Sequence, residues 1–192
     1  MKITTTILII SLFTILTSCS SDELTKNKAE SMAIECIKGE NHVKTTTSYY
    51  GVLEQWDRFK KKNTVFLESY KKLEEKGLYN MGELQHVKGV LGMKERYEIS
   101  LTPKAEKLLI SSKKDAKGKI TGKFKICEYT FESVEEIHEI PAENIANVKL
   151  KFIRINETPF FKETHEKANP KEVFKQVKYK KTNDGWKLCD KQ

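Results

Sequence analysis

The first third of the chain carries two stretches of apolar residues at helical spacing. In residues 29–38 the apolar side chains recur three and four positions apart, and Gly39 follows as a stop signal. From about Trp56 to Lys76, aromatic and leucine side chains recur among lysines and glutamates, and Gly77 is placed to cap the helix end. Because the second stretch could also divide in two, we predict two or three helices here.

The second half of the chain has the alternation of apolar and polar residues that half-buried strands need. Tyr97, Ile99 and Leu101 alternate with polar neighbours, whereas residues 79–94 are rich in glycine and fit no element. Further stretches with strand character lie at residues 120–129, 132–140, 146–156 and 173–181. The predicted fold class is α+β, with N-terminal helices followed by an antiparallel β-meander.

Turn signals divide this second half. Thr102 and Pro103 predict a short helix that runs to about residue 110, because proline is tolerated at the first helical position. Residues 113–119 are interpreted as a turn. Residues 183–185, Asn-Asp-Gly, predict a tight hairpin between the last two strands.

The N-terminus is organised like an export signal. Lys2 supplies a positive charge, and the mostly apolar run from Ile7 to Leu16 is too short for a membrane span, which needs about 20 apolar residues. The run ends in Leu16-Thr17-Ser18-Cys19, which resembles the lipobox of bacterial lipoproteins. The resemblance implies a signal peptide over residues 1–18, cleavage before Cys19, and lipidation of that cysteine. An ordinary signal peptide or a short anchor is the alternative.

The residues after Cys19 bear on the destination. In lipoproteins of bacteria with two membranes, an aspartate directly after the cysteine tends to retain the protein in the inner membrane, and Ser20 stands there instead. The resemblance therefore implies a lipid-anchored protein of the cell envelope, in the outer membrane, with periplasmic or surface orientation left open. Residues 19–28 are then a polar tether, and residues 29–192 form a single α+β domain.

The composition is basic and dominated by lysine. Lys and Arg total 35 against 27 Asp and Glu, which gives a formal charge of +8. The only arginines are Arg58, Arg96 and Arg154. Because arginine is the preferred residue for bidentate phosphate recognition, the lysine excess favours attraction to anionic surfaces over a nucleic-acid site. No nucleic-acid partner and no small-molecule substrate is indicated.

Three cysteines remain if Cys19 is lipidated. They include no Cys-x-x-Cys pair, so neither a zinc knuckle nor a redox motif is indicated. We predict a disulfide between Cys127 and Cys189, with Cys36 reduced on the apolar face of its helix. Pairing of Cys36 with either of the others remains open.

Motifs for catalysis are incomplete. His138-Glu139 and His165-Glu166 begin like the zinc-protease motif, but Ala142 and Asn169 stand where the second histidine is required. A Cys127 nucleophile with one of these histidines is a weaker alternative than a buried thiol. A group of glutamates is interpreted as a solvated strand edge, at positions 132, 135, 136, 139 and 143. We predict no catalytic residue, no metal site, no cofactor and no enzymatic activity.

Two segments also resemble the end of a winged-helix unit. Residues 73–78 would end its helix, and residues 97–104 would form its wing strand and the Leu-Thr turn that follows. Ala105 occupies the place of the usual glycine. The arrangement is similar to that of uncharacterised envelope lipoproteins, and the resemblance implies a scaffold and not DNA binding.

Lysines crowd around the turn predicted at residues 113–119. Six of them fall within residues 113–125, where Asp115 is the only acid. On a strand, Lys119, Lys123 and Lys125 would share a face, because positions two and four apart point the same way. These three are the candidates for contact with anionic head groups or an acidic glycan; the alternative is a solvated loop.

Aromatic residues offer a second kind of candidate surface. Core packing is the favoured interpretation for Trp186 and for the Tyr49-Tyr50 and Trp56 region. Phe160 and Phe161 form the best candidate for an exposed apolar loop, although packing is favoured there too.

We therefore expect a membrane-anchored envelope lipoprotein that acts as a non-catalytic binding or structural module. Its partners would be the membrane, through the Cys19 lipid, and an envelope protein or anionic glycan. The alternatives are a small inhibitor or immunity-type lipoprotein that blocks a toxin or hydrolase, and an enzyme with an unrecognised site.

Overall fold

The computed structural model describes residues 23–56, 60–90 and 92–188, and within them the chain is mostly β. The strands are β1 (His42–Trp56), β2 (Tyr79–Met81), β3 (Gln85–Gly89), β4 (Gly92–Leu101), β5 (Leu109–Lys114), β6 (Lys119–Ile140), β7 (Ile145–Ile155), β8 (Glu172–Thr182) and β9 (Gly185–Lys187). The helices are α1 (Lys26–Ile37), α2 (Lys60–Glu75), α3 (Pro103–Glu106) and α4 (Glu163–Glu166), with a 3-10 turn at Pro141–Glu143.

The predicted α+β class, with N-terminal helices followed by a β-meander, is wrong. All of these strands join one antiparallel sheet of nine strands in the described residues, and the helices are short. The long strand β1 lies between α1 and α2 in the chain and sits inside the sheet, between β4 and β6. Its residues 43–50 contain threonines, a serine and tyrosines, which favour strands but show no apolar alternation.

Other predicted elements have different boundaries in the structure. Residues 79–90 and 92–94 include β2, β3 and the start of β4, although no element is predicted in this glycine-rich stretch. The helix predicted from Pro103 to residue 110 ends at Glu106, and β5 follows at once. The strands predicted at 120–129 and 132–140 are one strand, β6. The hairpin predicted at Asn183-Asp184-Gly185 is confirmed, because Thr182 pairs with Gly185 across a two-residue turn.

The sheet has the strand order β2-β4-β1-β6-β7-β8-β9, with β3 added to β4 and β5 added to β6. The first part of β6 lies between β1 and β5, and its second part pairs with β7. The β6–β7 register shifts between Phe131 and Ser133 and again between Val134 and Glu136, and such bulges bend a strand. The two ends of β6 therefore belong to different parts of the molecule.

Strand β1 changes partner at Gly51. Up to this residue β1 pairs with β6, and from it onward β1 pairs with β4. Gly51 has a φ of +79°, and a Cβ placed there would lie 2.5 Å from the carbonyl oxygen of Gly118. Only glycine accommodates both the conformation and the close approach.

Helix α1 packs on one end of the sheet. Its buried residues Ala29 and Ala33 face the strands, and the hydroxyl of Tyr179 on β8 donates to the carbonyl oxygen of Ala29 at 2.8 Å. Glu30 accepts from the backbone N–H of Val134 on β6 at 3.1 Å. Small residues on this helix face allow the close approach that these bonds need.

The other end of the core is aromatic. Phe124 of β6 stacks on Phe160 with ring centroids 4.3 Å apart, and Tyr79 of β2 meets both rings edge-on. Tyr70 on α2 stacks on Tyr79 at 5.8 Å and, with Leu73, seats this helix on the sheet. The aromatic cluster thus joins α2, the sheet and the loop after β7.

The folded domain begins before residue 29. Leu24 is 2 % exposed and belongs to the core, and α1 begins at Lys26. Folded structure therefore begins by Leu24, five residues before the boundary predicted from the sequence. In the described part of the chain, no helix has the length and apolarity needed to cross a membrane.

The segments that resemble a winged-helix unit do meet in space. The backbone N–H of Thr102 donates to the carbonyl oxygen of Leu78 at 3.0 Å, and its hydroxyl donates to the carbonyl oxygen of Gly77 at 2.8 Å. The Thr102 side chain also accepts from the N–H of Ala105 and caps α3. The resemblance itself stays a prediction.

Candidate anionic-ligand surface

The thiol of Cys127 is not arranged as a nucleophile. It is free and buried, and burial raises its pKa, so the thiol stays protonated near neutral pH. The Nδ1 atom of His165 accepts from the backbone N–H of Lys162 at 3.1 Å, and Nε2 lies 3.4 Å from the hydroxyl of Thr46. Both nitrogens of His165 thus have partners other than the thiol. His138 lies on the outer side of β6, beside Asn147 of β7.

Three of the glutamates in residues 132–143 make separate structural contacts. Glu132 pairs with Lys151 at 2.9 Å, and Glu135 accepts from the hydroxyl of Ser133 at 2.7 Å. Glu139 accepts from the backbone N–H of Leu24 at 2.6 Å. Within the described ranges, no three His, Cys, Asp or Glu side chains are placed to hold a metal ion.

The aromatic residues pack in the interior rather than line a groove. Phe160 is 1 % exposed and Trp186 is 6 % exposed, which agrees with the packing interpretation for both. Phe161 is half-buried beneath the Arg154 guanidinium, 4.5 Å from the ring centroid. The residues at 160 and 161 are therefore not an exposed apolar loop. The side chain of Trp56 lies outside the described part of the chain.

The cysteines differ from the predicted pairing. Cys36 is disulfide-bonded and Cys127 is a free thiol, so the bridge predicted between Cys127 and Cys189 is not the one formed. Cys127 is fully buried next to Ile126, and the interior accommodates it as a small apolar side chain. Cys19 and Cys189 both lie outside the described residues.

Arg154 organises the loop after β7, which the sequence did not reveal. Its side chain is only 2 % exposed and pairs with Glu157 at 2.8 Å and with both oxygens of Glu166, at 2.9 and 3.0 Å. A third donor of the guanidinium bonds the carbonyl oxygen of Asn169. Arginine donates in a fixed fork, so one side chain closes the whole loop. Only the rarity of arginine in this chain could have drawn attention to it.

The lysine candidates do share one face. Lys119, Lys123 and Lys125 point outward from β6, while the alternating Phe124 and Ile126 are buried. This confirms the face predicted from their spacing. Directly opposite residues on antiparallel strands lie on the same face. The shared face therefore includes Thr121, which lies between the lysines on β6, and the residues opposite these positions: Thr45, Thr47 and Tyr49 on β1, and Ser111 and Lys113 on β5.

The cations of this face, which we call the basic face, differ in their pairing. Lys125 bonds Glu128, whose pKa is lowered first by that hydrogen bond and next by one from Asn156. The ammonium of Lys119 lies 3.7 Å from the ring centroid of Tyr49, within cation–π range. Lys123 forms no ion pair within the described residues. Its neighbours across the strands are Thr47 and Ser111, so ammonium and hydroxyl groups stand side by side.

The one acid of the turn between β5 and β6 bonds the backbone of that turn. The Oδ1 atom of Asp115 accepts from the backbone N–H groups of Lys117 at 2.9 Å and Lys119 at 3.0 Å. This bonding fixes the turn and leaves the lysine side chains outside. The basic face thus combines a positive potential with hydrogen-bond donors, which suits the carboxylate, phosphate and hydroxyl groups of an anionic polymer.

No protein-family model, no curated protein and no solved structure matches this chain.

Proposed function

We propose that this chain is an envelope lipoprotein, anchored through Cys19, whose domain binds an anionic glycan of the envelope without catalysing a reaction. The observation that carries the proposal is the row formed by Lys119, Lys123 and Lys125, flanked by hydroxyl groups on β1 and β5. Glycans offer both anionic groups and hydroxyls, and this face presents donors for both.

The position of the tether favours a glycan over the head groups of the anchoring membrane. The chain enters the domain where Leu24 bonds Glu139, near one end of β6, and the lysines lie near the other end. Along β6, Lys119 and Glu139 are twenty residues apart, a contour on the order of 60 Å that the two bulges bend. A tether from Cys19 to Leu24 spans at most about 17 Å. The separation along the strand therefore favours a ligand other than the anchoring bilayer.

Binding at this face should be moderate and sensitive to salt. Each lysine near an anionic surface contributes about 1 kcal/mol, and the attraction decays within a Debye length of about 8 Å at physiological ionic strength. Three or four lysines suffice for retention on a polymer that offers many sites. They do not suffice for tight binding of one small ligand.

The test uses the chain from residue 19 onward with Cys19→Ser, which retains every described element. It should sediment with purified acidic envelope glycan at low salt and be released at physiological salt. The triple variant Lys119→Glu, Lys123→Glu, Lys125→Glu should stay in the supernatant. The matched control reverses Lys175, Lys178 and Lys180, which are exposed on β8, and should still sediment. Equal loss in both variants would show only a net-charge effect and would refute the assignment of the face.

Anionic vesicles form the second arm of this test. Sedimentation with vesicles but not with glycan would place the face on a lipid surface and overturn the glycan proposal. Wild-type protein that stays in the supernatant with both ligands at low salt would also refute it.

The anchor is tested separately because residue 19 lies outside the described chain. Cells labelled with a clickable fatty acid should tag the wild-type protein. The Cys19→Ala variant should lose both the label and the membrane fraction. Label that persists on Cys19→Ala would contradict lipidation at this cysteine.

The β3–β4 hairpin favours a second candidate, an inhibitor or immunity-type lipoprotein. Val90 at its tip is fully exposed and Met93 is 44 % exposed, and Lys88 lies opposite Met93. A projecting apolar tip is suited to insertion into the cleft of a toxin or hydrolase. Inhibition of an enzyme encoded beside this protein, and its loss in Val90→Glu, would support this function. A Val90→Glu variant that inhibits as well as the wild type would exclude the hairpin tip as the inhibitory site.

A further inference from the structure

The imidazole of His165 closes the first turn of α4. Its Nδ1 atom accepts from the backbone N–H of Lys162 at 3.1 Å, and its ring contacts the Phe161 ring edge-on with centroids 5.7 Å apart. Nε2 lies 3.4 Å from the hydroxyl of Thr46 on β1. A neutral imidazole accepts at only one nitrogen, so this geometry places the ring proton on Nε2.

Protonation of this imidazole removes the acceptor that α4 uses. An imidazolium donates at both nitrogens and accepts at neither. The N–H groups of Nδ1 and of the Lys162 backbone would then face each other, and the N-terminal turn of α4 would lose its cap. The observed contact is therefore compatible with the neutral ring only.

The charged groups around the ring do not favour an imidazolium. The loop itself contributes Lys162, and the guanidinium of Arg154 from β7 lies 4.5 Å from the centroid of the Phe161 ring. From β1, Lys44 lies on the inward side of the strand, two residues before the threonine that Nε2 meets. Glu166, the next residue along the chain, is engaged by Arg154.

The segment that carries this ring is anchored at both ends. On one side Phe160 is buried and stacks on Phe124 of β6. On the other side Arg154 binds Glu166 and the carbonyl oxygen of Asn169. Residues 161–165 lie between these anchors, and the His165 side chain carries the contact of this segment with β1.

The same segment forms one wall of a cleft of about 500 Å³. Phe161, Lys162 and Thr164 line the cleft from the loop. Helix α2 forms the opposite wall and contributes charges of both signs: Glu68, Lys72, Glu75 and Lys76. Sites for small molecules typically have volumes of about 300–1,000 Å³, so a movement of this wall would change a cleft of functional size.

We propose that His165 is a pH-sensitive contact that holds this wall of the cleft in place, and that protonation at Nδ1 frees residues 161–165 while the sheet stays folded. The loop lies on the side of the sheet opposite the basic face, because Thr46 pairs with the buried Phe124. The inference therefore does not depend on glycan binding at the basic face.

The direction of the pH effect follows from the surroundings of the ring. Burial, and next the charge of Lys162, lower the pKa of His165 below its ordinary value of 6.5. A histidine with a lowered folded-state pKa binds its proton more readily when the segment is open. The stabilisation is complete above about pH 6.5 and is lost as the pH falls through that value toward the folded-state pKa.

The experiment uses the Cys19→Ser chain, from residue 19 onward, and hydrogen exchange with mass spectrometry at pH 7.5 and pH 5.0. Protection factors corrected for the intrinsic effect of pH report the opening of each segment. Protection of residues 161–166 should fall about threefold or more at the lower pH, whereas peptides from β6 and β7 should keep theirs. Carboxyl groups with ordinary pKa values, about 4.3 or lower, remain largely ionised at pH 5.0.

A histidine replacement tests whether His165 is the titrating group. His165→Gln removes the titration and keeps an acceptor, because glutamine at the third helical position accepts from the N-cap N–H in a capping box. Its protection should be equal at both pH values. His138→Gln, at an exposed histidine on β6, is the matched control and should retain the pH dependence of the wild type. A His165→Gln variant that retains this dependence would overturn the proposal.

Nitrogen NMR of the wild-type imidazole gives an independent result. At pH 7.5 the ring proton should be on Nε2, and the titration midpoint of His165 should lie below pH 6.5 and coincide with the loss of protection in residues 161–166. A proton on Nδ1, a midpoint at or above pH 6.5, or unchanged protection at pH 5.0 would refute the proposal. Loss of protection throughout the sheet at pH 5.0 would show general unfolding and would refute it as well.

Discussion

The backbone N–H of Leu24 donates to Glu139 Oε1 at 2.6 Å and joins the first described residues to the far end of β6. Leu24 is also 2 % exposed. The segment before α1 is therefore part of the folded domain, and the point where a tether leaves the domain is fixed.

Leu24→Ala should lower the free energy of unfolding by about 3 kcal/mol, because a buried leucine loses its contacts and leaves a cavity. Leu84→Ala is the matched control, since Leu84 is 42 % exposed and its truncation should cost less than about 0.5 kcal/mol. Urea denaturation of both variants measures the difference. Equal stability of Leu24→Ala and wild type would mean that the segment before α1 is not docked.

The cysteines give a second prediction. Cys36 is disulfide-bonded and Cys127 is free, so we expect Cys36 to pair with one of the cysteines outside the described residues, Cys19 or Cys189. A lipidated thiol cannot form a disulfide, so the proposed anchor leaves Cys189. Leu188, its neighbour in sequence, lines the same cavity of about 390 Å³ as Cys36. The loop closed by this bridge is long, and the chain-entropy estimate of its stabilisation is about 5 kcal/mol.

Mass spectrometry of an unreduced digest should find one peptide pair that joins Cys36 and Cys189. Cys127 should react with an alkylating reagent only after denaturation, because burial raises the pKa of its thiol and hides it. A disulfide peptide that contains Cys127, or rapid alkylation of Cys36 in the folded protein, would contradict this prediction.

The loop after β7 should depend on Arg154. Arg154→Met removes a buried guanidinium that pairs with Glu157 and Glu166 and leaves the carbonyl oxygen of Asn169 without its donor. Removing one partner of a buried ion pair typically costs 3–5 kcal/mol, and the half-exposed glutamates reduce this to about 2–3 kcal/mol. Lys171→Met, at an exposed neighbour, should change stability little.

Limited proteolysis provides the local measurement for the same variant. Residues 156–170 should be cleaved sooner in Arg154→Met than in the wild type, because the ion pairs that close the loop are lost. Unchanged proteolysis and unchanged stability would show that packing of Phe160 alone holds the loop.

The sequence predicted what depends on local spacing. Alternation along β6 placed Lys119, Lys123 and Lys125 on one face, and the Asn-Asp-Gly turn joined β8 to β9. Both follow from the geometry of a strand or a two-residue turn, without knowledge of the rest of the fold. The α1 helix likewise follows from apolar periodicity.

The parts that sequence reasoning missed depend on distant contacts. The threonine-rich β1 is a central strand because its first part pairs with β6 and its last part pairs with β4, and its own residues do not show this. Arg154 and Glu166 meet across a loop, twelve residues apart in the chain. The strands within residues 79–94 also form through hairpin pairing, whereas the glycine-rich sequence of this stretch predicts neither a helix nor a strand.

Glu128 should restrain the basic face, and its removal should strengthen binding while it weakens the fold. Glu128 bonds Lys125 and accepts from Asn156 at 2.6 Å and from Asn41 at 3.2 Å. The hydrogen bonds from Lys125 and Asn156 lower the pKa of Glu128 below its ordinary value of 4.5. A lowered folded-state pKa means that the stabilisation is fully present above about pH 4.5 and is lost as the pH falls through the folded-state pKa.

Glu128→Gln should therefore be less stable than the wild type by about 1 kcal/mol at pH 7, and the difference should shrink as the pH falls below about 4.5. At pH 7 and low salt the same variant should bind the acidic glycan up to about fivefold more tightly, because Lys125 loses its counter-charge. Glu83→Gln removes one negative charge at an exposed site outside the basic face, between β2 and β3, and serves as the control. Parallel denaturation curves at pH 7 and pH 3, with glycan sedimentation at pH 7, measure both effects. Weaker glycan binding by Glu128→Gln would mean that Glu128 positions Lys125 for the ligand rather than neutralising it.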